Sequence, residues 1–181
     1  EIDGHADNVA AAVHGGLVVT LARGNSVVAV KKLWPKTIRL VVVTPRLMLE
    51  TKKSRSVLPE KVDREDAVHN LQRSALLVAL LEEKRYELLW DALQDRLHQP
   101  FRQHLIPGVP EILALPRTPG LLGIALSGSG PSVVALAMAQ FEEIGRTISG
   151  CFQRAGVISS VRVLEADQEG LMFIEPRLSK R

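Results

Sequence analysis

LLGIALSGSGPSVVALA, residues 121–137, is the stretch whose reading decides the fold. Two apolar runs flank a Ser-Gly loop. The first run reads as a strand, the loop as a tight turn, and the second run as a strand or a helix. Gly128 and Gly130 stand one residue apart, so the backbone can take a positive φ and come close to another group without a Cβ. Ser127, Ser129 and Ser132 add hydroxyls, and successive loop N–H groups can form an anion-binding nest. A plain Gly-Ser turn between strands carries the same letters. The loop is not a Walker A loop, because no Lys-Ser or Lys-Thr follows the glycines. Nor is it a dinucleotide fingerprint, because Val133 stands where the third glycine belongs.

Working outward, apolar residues at Phe141, Ile144, Ile148, Phe152 and Ala155 repeat at helical spacing, and SVRVLEA (160–166) follows as a strand. LMFIE (171–175) is a candidate for a further strand. Upstream, LIPGVPEILALPRTPG (105–120) is a Pro- and Gly-rich loop around a short helix. YELLWDALQDRLHQPF (86–101) reads as a helix stopped by Pro100. DREDAVHNLQRSALLVALLEE (63–83) reads as a long helix capped by Asp63, with Asp66 in its first turn. Ala67, Leu71, Ala75, Val78 and Leu81 make one stripe that Leu76, Leu77 and Leu80 widen, which predicts burial on most sides. IRLVVVTP (38–45) is a strand, and LVVTL and VVAVKKL flank the turn ARGNS as a hairpin. DNVAAAV (7–13) is a short helix with Asp7 placed to cap it and HGG ending it. This pattern predicts an α+β sandwich with helices on one face of a sheet.

The bulk numbers agree. Of the 181 residues, 46% are hydrophobic and 24% charged, an ordinary globular balance. A net charge of +3 is no nucleic-acid footprint, and TKKSRS (51–56) by itself reads as a solvated loop. One cysteine, Cys151, excludes a disulfide framework and suits a small buried hydrophobe. Trp34 and Trp90 read as packing. No apolar run reaches the ~18 residues of a membrane span, and the expectation is a soluble cytoplasmic protein.

At the start of the chain, Asp3, His5 and Asp7 alternate, so they face one way on an extended segment. Carboxylates so placed can hold Mg²⁺ beside phosphate oxygens, or orient a hydroxyl. Equally, Asp7 and Asn8 can simply cap a helix.

Together these stretches resemble homoserine kinase, of the GHMP small-molecule kinase superfamily. EIDGHADNVAAAVHGG is similar to the family's Gly-His-x-Asp-Asn segment. TKKSRSVLPEKV is similar to its T-x-x-x-R stretch with the helix that follows, DRLHQPFRQHLIPG to its D-x-x-x-x-P-[FY]-R segment, and LSGSGPS to its third glycine motif. The phosphate-cradling P-x-x-x-G-L-G-S-S-A loop of the family is not in this sequence. The resemblance therefore implies the C-terminal part of such an enzyme, with 1–44 the tail of the N-terminal domain and 45–181 a ferredoxin-like C-terminal domain. It implies that the intact enzyme phosphorylates the homoserine hydroxyl from ATP, with Mg²⁺, and that the chain alone is inactive.

Residue by residue, the resemblance puts Asp7 and Asn8 at the substrate hydroxyl and Thr51 near the transferred phosphoryl group. Asp3 falls at the Mg²⁺ position, with Glu1 as a second choice. Arg55 and Arg102 grip the substrate α-carboxylate, for which a planar fork suits better than a lysine. His69 lines the substrate pocket or serves only its helix, and Gly128, Ser129 and Gly130 brace the phosphate loop. Alanines at 6 and 11 stand where the family has prolines. His14, His98 and His104 receive no role. The alternatives are another GHMP kinase with a mevalonate-type alcohol, or a non-catalytic half that binds a partner chain. The first hairpin would lack strand neighbours, which predicts self-association or a homodimer.

Overall fold

The computed structural model describes residues 6–172, with the side chain of Thr51 excepted. Glu1, Asp3 and His5, and residues 173–175 of the LMFIE stretch, lie outside the described residues. The chain forms two compact units, Glu1–Lys36 with Ala166–Arg181, and Thr37–Glu165.

In the first unit, helix α1 (Asp7–His14) leads into the hairpin β1 (Leu17–Arg23) and β2 (Ser26–Lys32). The hairpin closes over Gly24 and Asn25, with Gly24 at φ +59°. A turn of this kind needs a positive φ, which glycine adopts without strain. Asp7 does not cap α1. It is the first helical residue, Ala6 holds the cap position, and Asp7 Oδ1 accepts the Asn8 N–H at 2.9 Å. The returning segment is stitched down by polar groups. Gln168 Oε1 accepts the Trp34 N–H at 3.0 Å, its Nε2 donates to the Trp34 carbonyl at 3.3 Å, and Leu171 N–H donates to the Val13 carbonyl at 3.1 Å.

The second unit holds a four-stranded antiparallel sheet in the order β4 (Leu121–Leu126), β5 (Val133–Ala137), β3 (Arg39–Pro45), β6 (Ser159–Leu164). Counted within this unit, the spatial order is second, third, first, fourth, with helical segments after the first and third strands. That is the split βαβ, or ferredoxin-like, arrangement. The LLGIALSGSGPSVVALA stretch is therefore strand, loop, strand. Strand β3 pairs with β5 and β6, so the division between units falls before it, at Lys36/Thr37.

Alternation along β3 sends Val41 and Val43 into the core. There they meet Ile144, Ile148, Cys151 and Phe152 of α7 (Phe141–Arg154), and Ile106, Val109 and Ile112 in and before α6 (Val109–Leu113). Gly145 lets α7 lie close to the sheet: a Cβ there would stand 2.6 Å from Val161 Cγ1. Alanine at this position gains about 1 kcal/mol of helix propensity. Overpacking against a stiff valine costs about 1–3 kcal/mol. Gly145→Ala should therefore lower stability by roughly 1 kcal/mol, read as a lower urea midpoint at unchanged slope.

Two helical expectations need correction. Helix α3 (Arg64–Glu82) forms, but only Leu80 in it is buried, and Leu71 is 70% exposed. A 3.6-residue stripe reports which side of a helix is apolar, not what lies opposite. The stretch 86–101 is not one helix. It breaks into a 3-10 turn (Tyr86–Leu88), a single turn α4 (Leu89–Ala92), an irregular segment, and α5 (Gln99–Arg102). Pro100 stands in the first turn of α5, where its missing N–H costs nothing, so it starts a helix instead of stopping one. Among the described residues no helix is long and apolar enough to cross a membrane.

Candidate functional site

Three separate stretches of the second unit are hydrogen-bonded to one another. They are α2 (Thr51–Ser56), the segment 95–102 that ends in α5, and the glycine loop 127–132. The loop is tight: the Ser127 N–H donates to the Ser132 carbonyl at 2.9 Å and the Gly130 N–H to the Ser127 carbonyl at 3.0 Å. Two of its N–H groups are thus spent on the loop itself. Gly128 at φ +59° has open space where a Cβ would go, so conformation alone calls for glycine there. At Gly130, φ +80°, a Cβ would also meet Ile106 Cδ1 at 2.8 Å.

Ser54 is fully buried and joins all three stretches. Its Oγ donates to the Ser129 carbonyl at 3.0 Å, and its own carbonyl accepts Arg102 Nε at 3.2 Å. Gln99, nearly buried, accepts the N–H of Leu126 at 2.8 Å, which satisfies the end of edge strand β4 as the loop begins. Arg102 is thereby fixed relative to the loop from two directions.

The start of α5 is organised by Asp95. Its carboxylate accepts the N–H groups of Leu97, His98 and Gln99 at 3.1, 2.8 and 2.5 Å, and the Asn70 side-chain amide at 2.6 Å. Burial pushes the Asp95 carboxyl up. The hydrogen bonds from Gln99, Asn70 and His98 outweigh it, and the group stays below its usual range. His98 moves down, chiefly through burial and also through the Arg102 charge, although Asp95 pulls it up. Its Nδ1 lies 3.3 Å from Arg102 Nη1. Arg102 is likewise lowered, by burial first and by the charge of Arg55, against the pull of Asp95. The positive charge of Arg55 is thus felt at Arg102, which Ser54 holds beside the loop. An anion between them would relieve their repulsion, and a carboxylate matches the guanidinium fork.

The structure ties Arg102 and Ser129 together through Ser54, with Arg55 next to Ser54 in α2 and Gly128 and Gly130 on either side of Ser129. Thr51 opens α2 in the same unit. His69 Nε2 lies 3.2 Å from the Gln94 carbonyl, next to the Asn70–Asp95 bond, so it holds the segment before α5. Asp7 and Asn8 sit at the start of α1 in the other unit. Among the described residues no group of three His, Cys, Asp or Glu side chains is placed to hold a metal. Sequence reasoning missed Ser54, Asp95, His98 and Gln99. The available signal was an Asp four residues before a Gln-Pro pair, the pattern of a carboxylate closing a helix start.

Homoserine kinase of Persephonella marina is 39% identical over 166 residues, which are 92% of this chain and 55% of that protein. Homoserine kinase of Moorella thermoacetica is 40% identical over 173 residues, 96% of this chain and 58% of the relative. The crystal structure of homoserine kinase from Cytophaga hutchinsonii superposes with a TM-score of 0.84 at 32% identity, over 92% of this chain and 53% of that one. This chain is a homologue of the homoserine kinases. It spans about half the length of the curated relatives it matches and aligns with their C-terminal part. No family model matches it. The second unit's sheet is the fold of these kinases' C-terminal domain.

Proposed function

We propose that the protein carrying this chain transfers the γ-phosphoryl group of ATP to the side-chain hydroxyl of homoserine, giving O-phosphohomoserine in the cytoplasm. The observation that carries this reading is Arg102, tied through Ser54 to the glycine loop, with its proton affinity lowered by the charge of Arg55 from the same helix as Ser54. Two guanidiniums there would hold the α-carboxylate, as only an acidic substrate requires. Asp7 and Asn8 would orient the hydroxyl, Thr51 would stand by the transferred group, and Gly128, Ser129 and Gly130 would brace the phosphate site. Glu1 and Asp3 supply oxygen donors of the kind a hard divalent cation takes, and they would hold Mg²⁺. Mg²⁺ neutralises phosphate charge when bound, and the rest of the catalysis is positioning.

Titration by calorimetry or NMR tests this directly. Homoserine should bind the chain, and 3-amino-1-propanol, which lacks only the carboxylate, should bind about a hundredfold more weakly. Equal binding of the two would refute the carboxylate site. Mevalonate binding in preference to homoserine would point to a different GHMP substrate. The exposed residues Val19, Leu21 and Val30 on the hairpin favour self-association as well. Sedimentation velocity over a concentration series should show a dimer, and a monomer throughout would refute it.

A further inference from the structure

We infer that His98 is a positioning residue for Arg102: the imidazole accepts an Arg102 N–H at Nδ1 and so fixes the guanidinium fork toward the ligand carboxylate. The inference rests on the carboxylate reading above. Arg102 has five N–H donors and no acceptor, so a bond to His98 Nδ1 requires a bare nitrogen there. The proton must then sit on Nε2, and that nitrogen faces Asp95 Oδ2 at 3.9 Å. His98 and Arg102 are four residues apart, one above the other on a helical turn.

The fork is then held at both its rear corners. Nε donates to the Ser54 carbonyl at 3.2 Å and one Nη1 hydrogen to His98, which leaves the Nη2 end for a carboxylate. His98 is itself fixed, since its backbone N–H is one of those that Asp95 accepts, at 2.8 Å. The charged groups around the imidazole are Asp95, from the segment before α5, and Arg102, whose own proton affinity Arg55 of α2 lowers. The low proton affinity of His98 keeps it neutral near pH 7, as the acceptor role requires. Simple charge addition makes the opposite demand, because a carboxylate site would gain from a protonated histidine.

Nitrogen-15 NMR of the whole chain decides the matter. Long-range correlations should place the His98 proton on Nε2, and a proton on Nδ1 would overturn the inference. His98→Asn sets an amide oxygen near the place of Nδ1, whereas His98→Leu offers no acceptor. Homoserine affinity should stay within about twofold of wild type in the first and fall about tenfold in the second, with both variants folded by circular dichroism. Equal losses in both, or no loss in His98→Leu, would overturn the positioning role. Arg102→Ala separates this from the reading beneath it. If that variant loses affinity while His98→Leu does not, only the positioning inference fails. If Arg102→Ala binds homoserine as wild type does, the carboxylate reading itself fails.

Discussion

Replacing Arg102 by alanine should weaken homoserine binding about a hundredfold, on the order of 3 kcal/mol. Two charge-assisted hydrogen bonds to a carboxylate are each worth roughly 1.5–3 kcal/mol. Water recovers part of that in a site that is only partly closed. The loss should be specific, because 3-amino-1-propanol has no carboxylate to lose. Arg102→Lys keeps the charge but not the fork and cannot reach the Ser54 carbonyl and the ligand together. It should recover less than half of the lost free energy. Arg55→Ala should also weaken binding. The double variant should lose less than the sum, because each arginine's repulsion of the other disappears with its partner. Calorimetry of the four proteins against both ligands measures all of this. An alanine variant that loses homoserine and the amino alcohol equally would show that Arg102 supports the fold and does not grip the carboxylate.

The sheet was legible in the sequence because its signals are local. The β1–β2 hairpin has two apolar runs about a Gly-Asn turn, and the SGSG loop likewise sits between two apolar runs. Which strands pair was not legible. Nothing local to 38–45 says that its partners lie about 90 and 120 residues further on. At the site, Arg55 and Arg102 stood out by residue type within matched motifs. Ser54 did not, because a serine in a basic run looks solvated until tertiary structure buries it against Ser129. Pro100 misled for a related reason. Proline stops a helix from inside and starts one from its first turn, and only the Asp95 carboxylate decides between them. His98 carried no signal apart from its contact with Arg102.

Asp95→Ala should cost about 3 kcal/mol of stability at neutral pH. The side chain is only 10% exposed and closes the N–H groups at the start of α5 while also tying that turn to α3 through Asn70. Removing it leaves several donors unsatisfied, each worth about a kilocalorie or more in a half-buried site. Asp95→Asn keeps the shape but turns one acceptor into a donor aimed at backbone N–H groups, so it should rescue less than half. The pH dependence gives a second signature. Asp95 has a lowered carboxyl pKa in the folded chain, so its contribution is complete above the unfolded value and is lost as pH falls through the folded one. His98 is also lowered, and it subtracts stability as pH falls below the ordinary histidine value, where the unfolded chain takes the proton first. Wild type should therefore weaken in two stages on acidification, first from His98 and then from Asp95. In Asp95→Ala the second stage should shrink, because the carboxylate that supplied it is gone. Urea unfolding from pH 8 down to about pH 3 measures both. A variant with wild-type midpoint at pH 7 and an unchanged acid limb would mean that Asp95 does not organise α5, and the support proposed for Arg102 would fall with it.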